Sequence, residues 1–149
     1  MKILIDADGC PVVDLALKAA QKNQLVALIF CDSSHHFDKE GARTIMVMKG
    51  RDAVDFELLR YIDKQDIVIT QDYGLAAMVL AKGGRPLSQN GLLFTSENIG
   101  SMLESRLVHF KARKAGVRMK GPQKRTKADD LKFEAALERV IGEPIQNMV

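Results

Sequence analysis

Two carboxylates one residue apart, Asp6 and Asp8, are the first residues in the chain whose type and spacing can do chemistry. They stand in the stretch Ile3-Leu4-Ile5-Asp6-Ala7-Asp8-Gly9-Cys10-Pro11. Ile3 to Ile5 is a short apolar run without alternation, bounded by turn residues, which is the pattern of a strand buried on both faces. The two acids then sit at the strand's carboxyl end, where open α/β sheets bind ligands. Neighbouring negative charges repel, so the pair is costly unless a cation lies between them. Carboxylate oxygens suit hard ions such as Mg²⁺ or Mn²⁺. The plain alternative is an Asp-Gly turn with Asp8 as a cap.

The same logic recurs further along. The apolar run Asp66-Ile67-Val68-Ile69-Thr70 is followed by Gln71-Asp72, and the run Thr44 to Met48 is followed by Asp52 and Asp55. Asp52 and Asp55 are three apart, hence on one helix face. If the strands are parallel, all their carboxyl ends lie on one edge. An acid at a strand end or N-cap is ordinary by itself. Gathered together, Asp6, Asp8, Asp52, Asp55 and Asp72 predict a metal site, because that much unneutralised charge would raise several pKa values and strain the fold.

The elements that must position these acids can be read from periodicity. Pro11 suits a first helical turn, and the apolar segment from Val13 predicts a helix to about Lys22. Leu25 to Phe30 and Thr44 to Met48 predict two further strands, separated by a loop over 33–43. Asp52 predicts an N-cap for a helix carrying Val54, Leu58, Leu59 and Ile62. Leu75 to Ala81 predicts the next helix, and Pro86 to Thr95 a short strand pair around Asn90-Gly91. Ser96 is read as the cap of a long helix whose core face includes Ile99, Leu103 and Leu107. Thr126 and Asp129 have capping-box spacing and open a last helix with Phe133, Leu137 and Val140 on one face. Alternating strands and helices predict an α/β fold with a mostly parallel sheet. Residues 1–149 are read as one domain, with a basic loop over about 116–127 and a C-terminal helix over about 128–141.

Charge is distributed unevenly. Residues 1–110 carry 12 basic and 14 acidic side chains, 111–127 carry 8 basic and none acidic, and 128–149 carry 2 basic and 5 acidic. The basic set is Lys111, Arg113, Lys114, Arg118, Lys120, Lys124, Arg125 and Lys127. An acidic site alone repels a polyanion, and a basic arm beside it offsets that by tracking phosphates without reading sequence. The bland reading is a solvated loop balanced by the acids of the last helix. No apolar run reaches membrane-spanning length, and two cysteines make no disulfide framework, so a reduced, cytoplasmic protein is expected. Cys31, His35 and His36, with Cys10, match no standard zinc spacing. His35 and His36 are read instead as lining the site beside Ser33 and Ser34. Cys10 as a nucleophile lacks an identifiable base.

These pieces resemble the PIN-domain nucleases, and more closely the bacterial YaiI/YqxD family of the PIN-like superfamily. The matching residues are Asp6-Ala7-Asp8-Gly9-Cys10-Pro11-Val12, Gly50-x-Asp52-x-x-Asp55, the run from Asp66 through Thr70-Gln71-Asp72-Tyr73-Gly74-Leu75-Ala76, Asn98-Ile99, Arg106, and Gly121-Pro122 before Phe133. The resemblance implies a three-layer domain with sheet order 3-2-1-4-5. It also implies Mg²⁺- or Mn²⁺-dependent phosphodiester hydrolysis, typically of RNA, using one or two ions. Asp6 would be the first metal-binding acid, Asp72 the acid of the Thr-x-Asp motif, and Asp52 or Asp55 the middle one. Asp8 departs from the commonest pattern, as a holder of a second ion or a repositioner of the first. Thr70 would orient Asp72 by a hydrogen bond.

Two other functions fit parts of the pattern. An apolar strand followed by Asp-x-Asp-Gly also resembles the nucleophile motif of haloacid-dehalogenase-type phosphatases, but Asp72 has no second acid close behind it. A non-catalytic RNA-binding module would keep the scaffold and use the basic arm.

Overall fold

The computed structural model describes residues 1–32, 39–47, 53–116 and 124–143. Among them, five strands and five helices alternate: β1 (Lys2–Asp6), α1 (Val13–Lys22), β2 (Val26–Asp32), β3 (Arg43–Val47), α2 (Ala53–Arg60), β4 (Ile67–Ile69), α3 (Tyr73–Ala81), β5 (Arg85–Leu87), α4 (Ile99–Lys114) and α5 (Lys127–Gly142). The strands form one parallel sheet in the order β3-β2-β1-β4-β5. This is the order that the resemblance implies.

β1 lies at the centre of the sheet, and its side chains alternate between the two faces. Ile3 and Ile5 point into a core shared with Ile29, Ile67, Ile69 and Leu87, covered by Val13, Ala16, Ala19 and Ala20 of α1 and by Phe133, Leu137 and Val140 of α5. Leu4 points the other way, joining Leu28, Phe30 and Val68 under Leu58 and Leu59 of α2 and Leu75 and Val79 of α3. The result is three layers. The unalternated apolar runs of β1 and β4 follow from this burial on both sides.

Boundaries differ from the sequence expectation where tertiary partners intervene. β2 continues through Cys31 and Asp32 because both residues pair with β3, Cys31 with Met46 and Asp32 with Val47. The expected strand pair around Asn90-Gly91 is instead a fifth parallel strand, β5, followed by a turn and a single antiparallel bridge from Leu87 to Leu93. The cap of α4 is Asn98, not Ser96; its side chain folds back to accept from Thr95 N at 2.9 Å and to donate to Leu93 O at 3.1 Å. The expected core face of α4 is not buried. Leu103 is 37% and Leu107 51% exposed, and α4 has no buried residue. Both faces of the sheet are already covered by the other helices, so α4 packs on α3 and projects from the layered core. The expected Asp52 cap and most of the 33–43 loop lie outside the described residues.

Two polar devices close the ends of the core. The buried carboxylate of Asp66 accepts from Lys2 N at 3.0 Å, from Asp63 N at 2.7 Å, and from the Lys2 ammonium. Arg85, also buried, donates to Gln65 O at 2.9 Å and to Val140 O at 2.6 Å, which places a cation on the last carbonyls of α5. At its other end α5 carries the expected capping box, with Thr126 Oγ1 accepting from Asp129 N and Asp129 Oδ2 from Thr126 N. Among the described residues no helix is long and apolar enough to cross a membrane.

Gly91 fastens the loop after β5 to α5. Its φ is +85°, and a Cβ there would stand 2.8 Å from Lys132 O and 3.2 Å from Ala136 Cβ. Gly91→Ala is therefore expected to lower the free energy of unfolding by about 2–4 kcal/mol, from backbone strain plus overpacking. Urea melts of the two proteins measure this, and a loss below about 0.5 kcal/mol would refute the close packing.

Candidate active site

The parallel sheet places all the strand carboxyl ends on one edge. The register Ile5↔Ile69 makes Asp6 and Thr70 neighbours across β1 and β4. Thr70, 2% exposed, donates its hydroxyl proton to Asp6 Oδ2 at 2.8 Å. The hydroxyl oxygen itself accepts from Asp72 N at 3.0 Å, which fixes the direction of the hydroxyl. Asp72 in turn is the N-cap of α3, its Oδ1 accepting from Leu75 N at 3.1 Å. Thr70 thus orients the carboxylate of Asp6 and the backbone, rather than the carboxylate, of Asp72. Gly74 leaves room for the cap: a Cβ there would stand 3.2 Å from Asp72 Oδ1.

Asp8 reaches the same edge through a turn. Cys10 N donates to Ala7 O, and Gly9 takes a φ of +72°, a conformation that glycine adopts without steric cost. Asp8 Oδ2 accepts from Asp32 N at 3.1 Å, which ties the turn to the end of β2. Asp6, Asp8, Gly9, Cys10, Ile69, Thr70, Gln71 and Gln89 line a cavity of about 70 Å³. That is room for a small cation and a few waters. Its far wall is held by Gln71 Oε1, which accepts from Gln89 N at 2.8 Å.

A second depression, of about 250 Å³, has Asp72 in its lining, one residue beyond Gln71 of the first. Asp55, Phe56, Asp72, Gly74, Leu75, Met78 and Arg106 line it, and Arg106 Nη1 lies 3.8 Å from Asp72 Oδ1. The five expected acids are therefore distributed. Asp6 and Asp8 share one cavity, Asp72 is joined to them through Thr70, Asp55 faces Asp72 in the neighbouring depression, and Asp52 lies outside the described residues. Among the described residues no three His, Cys, Asp or Glu side chains come together as a metal-binding group.

Burial pushes the Asp6 carboxyl up to about 6; the bond from Thr70 opposes this, and the charges of Asp72 and Asp8 add to it. A partly buried carboxylate beside two others is a group that a cation would relieve. The donors are all oxygens, and there are few of them. This fits an ion of the Mg²⁺ type, which keeps several waters and takes one or two carboxylates together with substrate phosphates. Cys31 is fully buried in the sheet core and burial pushes the Cys10 thiol up, so neither is set up as a thiolate ligand; His35 and His36 lie outside the described residues. The raised thiol also leaves Cys10 a poor nucleophile.

The basic segment divides in the structure. Lys111, Arg113 and Lys114 are exposed on the last turns of α4, and Lys124 and Lys127 are exposed where α5 begins. Arg118 and Lys120 lie outside the described residues. Arg125 has intramolecular partners: Asp130 Oδ1 at 2.7 Å, Asn90 Oδ1 at 3.0 Å and Gln89 O at 2.8 Å. It braces the loop that walls the acid cavity. Gln71, Gln89 and Asp32 are site-forming residues that reasoning from sequence missed. Gln71 and Asp32 were detectable by the strand-end rule; nothing local marks Gln89.

The YaiI/YqxD family, described as an uncharacterised BCR family, matches residues 4–143. A UPF0178 protein of Exiguobacterium sibiricum is 48% identical over 143 residues, covering 96% of this chain and 98% of its own. UPF0178 proteins of Clostridium acetobutylicum and Bacillus anthracis are 43% and 40% identical, over 95% of this chain and 97% and 99% of theirs. No solved structure matches the chain.

A carboxyl that titrates near 6 when folded and near its ordinary 3.8 when unfolded binds its proton more tightly in the folded state. Ionised Asp6 therefore destabilises the metal-free protein above pH 6, and the penalty disappears as the pH falls from 6 to 4. Asp6→Asn keeps an acceptor for Thr70 and removes the charge. In metal-free buffer it is expected to be more stable than the parent by about 1–2 kcal/mol at pH 7.5, after allowance for solvent screening, and equal to it near pH 4. Urea melts across this range test the sign; an Asn variant less stable at pH 7.5 would overturn it.

Proposed function

We propose that this chain, which belongs to the YaiI/YqxD family, is a divalent-metal-dependent phosphodiester hydrolase acting on RNA. The observation that carries the reading is the hydrogen-bonded link Asp6–Thr70–Asp72 across the adjacent ends of β1 and β4, with Asp8 turned into the same cavity. The strand order and the strand-end acids are those that the PIN-domain resemblance implies, which supports the choice of reaction. The exposed cations at the ends of α4 and α5 support a polyanionic substrate. Cys10 and Cys31 are thiols rather than a disulfide, which accords with a cytoplasmic setting.

Asp6 and Asp8 would hold the ion, Mg²⁺ or Mn²⁺, with Asp72 and Asp55 on the side from which substrate phosphate approaches. Such an ion supplies an activated water and neutralises charge building on the phosphate. Thr70 fixes the Asp6 carboxylate, so its ligating oxygens need no reorganisation when the ion enters. Gln71 and Gln89 close the cavity on the remaining side and limit the water inside it.

A second reading, a non-catalytic RNA-binding module on the same scaffold, is favoured by one observation: among the described residues no three acids converge as a metal-binding group. Incubating single-stranded RNA with the protein in Mn²⁺, Mg²⁺ or EDTA separates the two. Expected are cleavage with metal and none in EDTA, a rise in Tm with Mn²⁺, and a loss of at least about 100-fold in rate for Asp6→Asn and Asp72→Asn. Asn is as good an N-cap as Asp, so Asp72→Asn leaves α3 intact. Full activity in Asp72→Asn would refute the assignment, and binding without cleavage in any metal would favour the module.

A further inference from the structure

α4 presents one continuous, mostly polar stripe to its neighbour. Met102, Ser105, Arg106, His109 and Arg113 recur at three- and four-residue spacings, and with Tyr73 from the start of α3 they line a groove of about 310 Å³. Arg106 borders both this groove and the depression that holds Asp55 and Asp72. The groove therefore meets the Asp55–Asp72 depression at Arg106 and runs from there toward the basic end of α4, at Lys111, Arg113 and Lys114. Its floor is aromatic. The Tyr73 ring, half-buried, is braced edge-on by the fully buried Phe94, with centroids 5.6 Å apart and planes at 63°.

Each element has a separate consequence for a ligand. Arg106 and Arg113 are seven residues apart, about 10 Å along the helix, so they meet different phosphates of one strand. The Arg106–Asp72 contact is long and the Arg106 side chain 61% exposed, which leaves planar donors available to a phosphate. A rigid tyrosine ring in the same groove as two such cations is a stacking platform, and stacking requires an unpaired base.

We propose that the α3–α4 groove seats a single-stranded segment of polynucleotide flanking the reacting phosphate, with Arg106 and Arg113 on its backbone and Tyr73 beneath a base. The proposal rests on the reading of the acid site as a phosphodiesterase centre and names the strand path into it. Arg106 and Tyr73 are assigned as binding residues, apart from the cations of the 124–127 segment.

The test is binding of a fluorescent, unstructured RNA 12-mer and of a matched duplex in EDTA, followed by anisotropy over a salt series. The double variant Arg106→Ala/Arg113→Ala is expected to bind the 12-mer at least about tenfold more weakly, with a salt slope smaller by about 1.4, or about 0.7 for each phosphate that is no longer neutralised. Tyr73→Leu is expected to lose about tenfold on the 12-mer, to keep the slope and to leave the duplex unaffected, whereas Tyr73→Phe keeps the affinity. Lys18→Ala/Lys22→Ala, on the outer face of α1, leaves both quantities unchanged. An unaltered slope in the arginine variant, equal losses on duplex and single strand in Tyr73→Leu, or a parent protein that binds no single strand overturns the proposal. Metal-dependent cleavage with an unchanged KM in the arginine variant also removes the groove, while leaving the hydrolase reading in place. Groove-dependent binding with no cleavage in any metal does the reverse.

Discussion

The central place of β1 in the sheet is the constraint on which the carboxyl edge depends. A strand paired on both sides and covered on both faces delivers its last side chain, Asp6, to a half-buried position where its carboxyl is partly desolvated. Ionising a carboxyl there is costly, and the charges of Asp8 and Asp72 add to the cost. Three features of the fold act on this one charge. Thr70 is placed beside it by the β1–β4 register, the Gly9 turn brings Asp8 back toward the same cavity, and the cap of α3 holds Asp72 at the flank. A charge held at this cost favours protonation, so the stability of this edge depends on pH.

The rest of the fold serves that edge from a distance. α5 comes last in the chain, yet it acts on the cavity through Lys132 and Ala136, against which Gly91 packs, and Arg125, just before its cap, holds Gln89 and Asn90. Gln89 then meets Gln71 at the far wall of the cavity. α5 is itself secured at both ends, by the Thr126–Asp129 box and by Arg85 on its last carbonyls. The wall of the cavity is thereby coupled to the packing of a helix that follows much later in the chain. α4 stands apart from this coupling. Unneeded as cover for the sheet, it keeps its side chains exposed and is available as a surface.

Much of this was legible from local pattern. The buried runs Ile3–Ile5 and Ile67–Ile69, the faces of α1 and α5, and the Thr126–Asp129 box follow from residues within a turn or two of one another. So did the acids at the strand ends, because a parallel sheet converts a repeated local motif into a shared edge. The core face expected for α4 failed because Leu103 and Leu107 have helical spacing whether or not any sheet surface is left for them to cover. The strand pair expected around Asn90-Gly91 formed only in part: the turn and one antiparallel bridge, Leu87 to Leu93, are present, but Arg85–Leu87 takes its main partner in parallel from β4.

The amino-acid sequence by itself determined where most strands and helices form, which faces of β1, β4, α1 and α5 are buried, and that acids end β1 and follow β4. Those properties depend on side-chain periodicity and on neighbours a few positions away. Only the tertiary structure decided which acids meet, that the Thr70 hydroxyl serves Asp6, that Arg125 braces a loop, and that Arg106 stands between the acid site and an open groove. Each of these is a distance between residues remote in the chain, set by strand register and by competition for sheet surface. No local pattern encodes either.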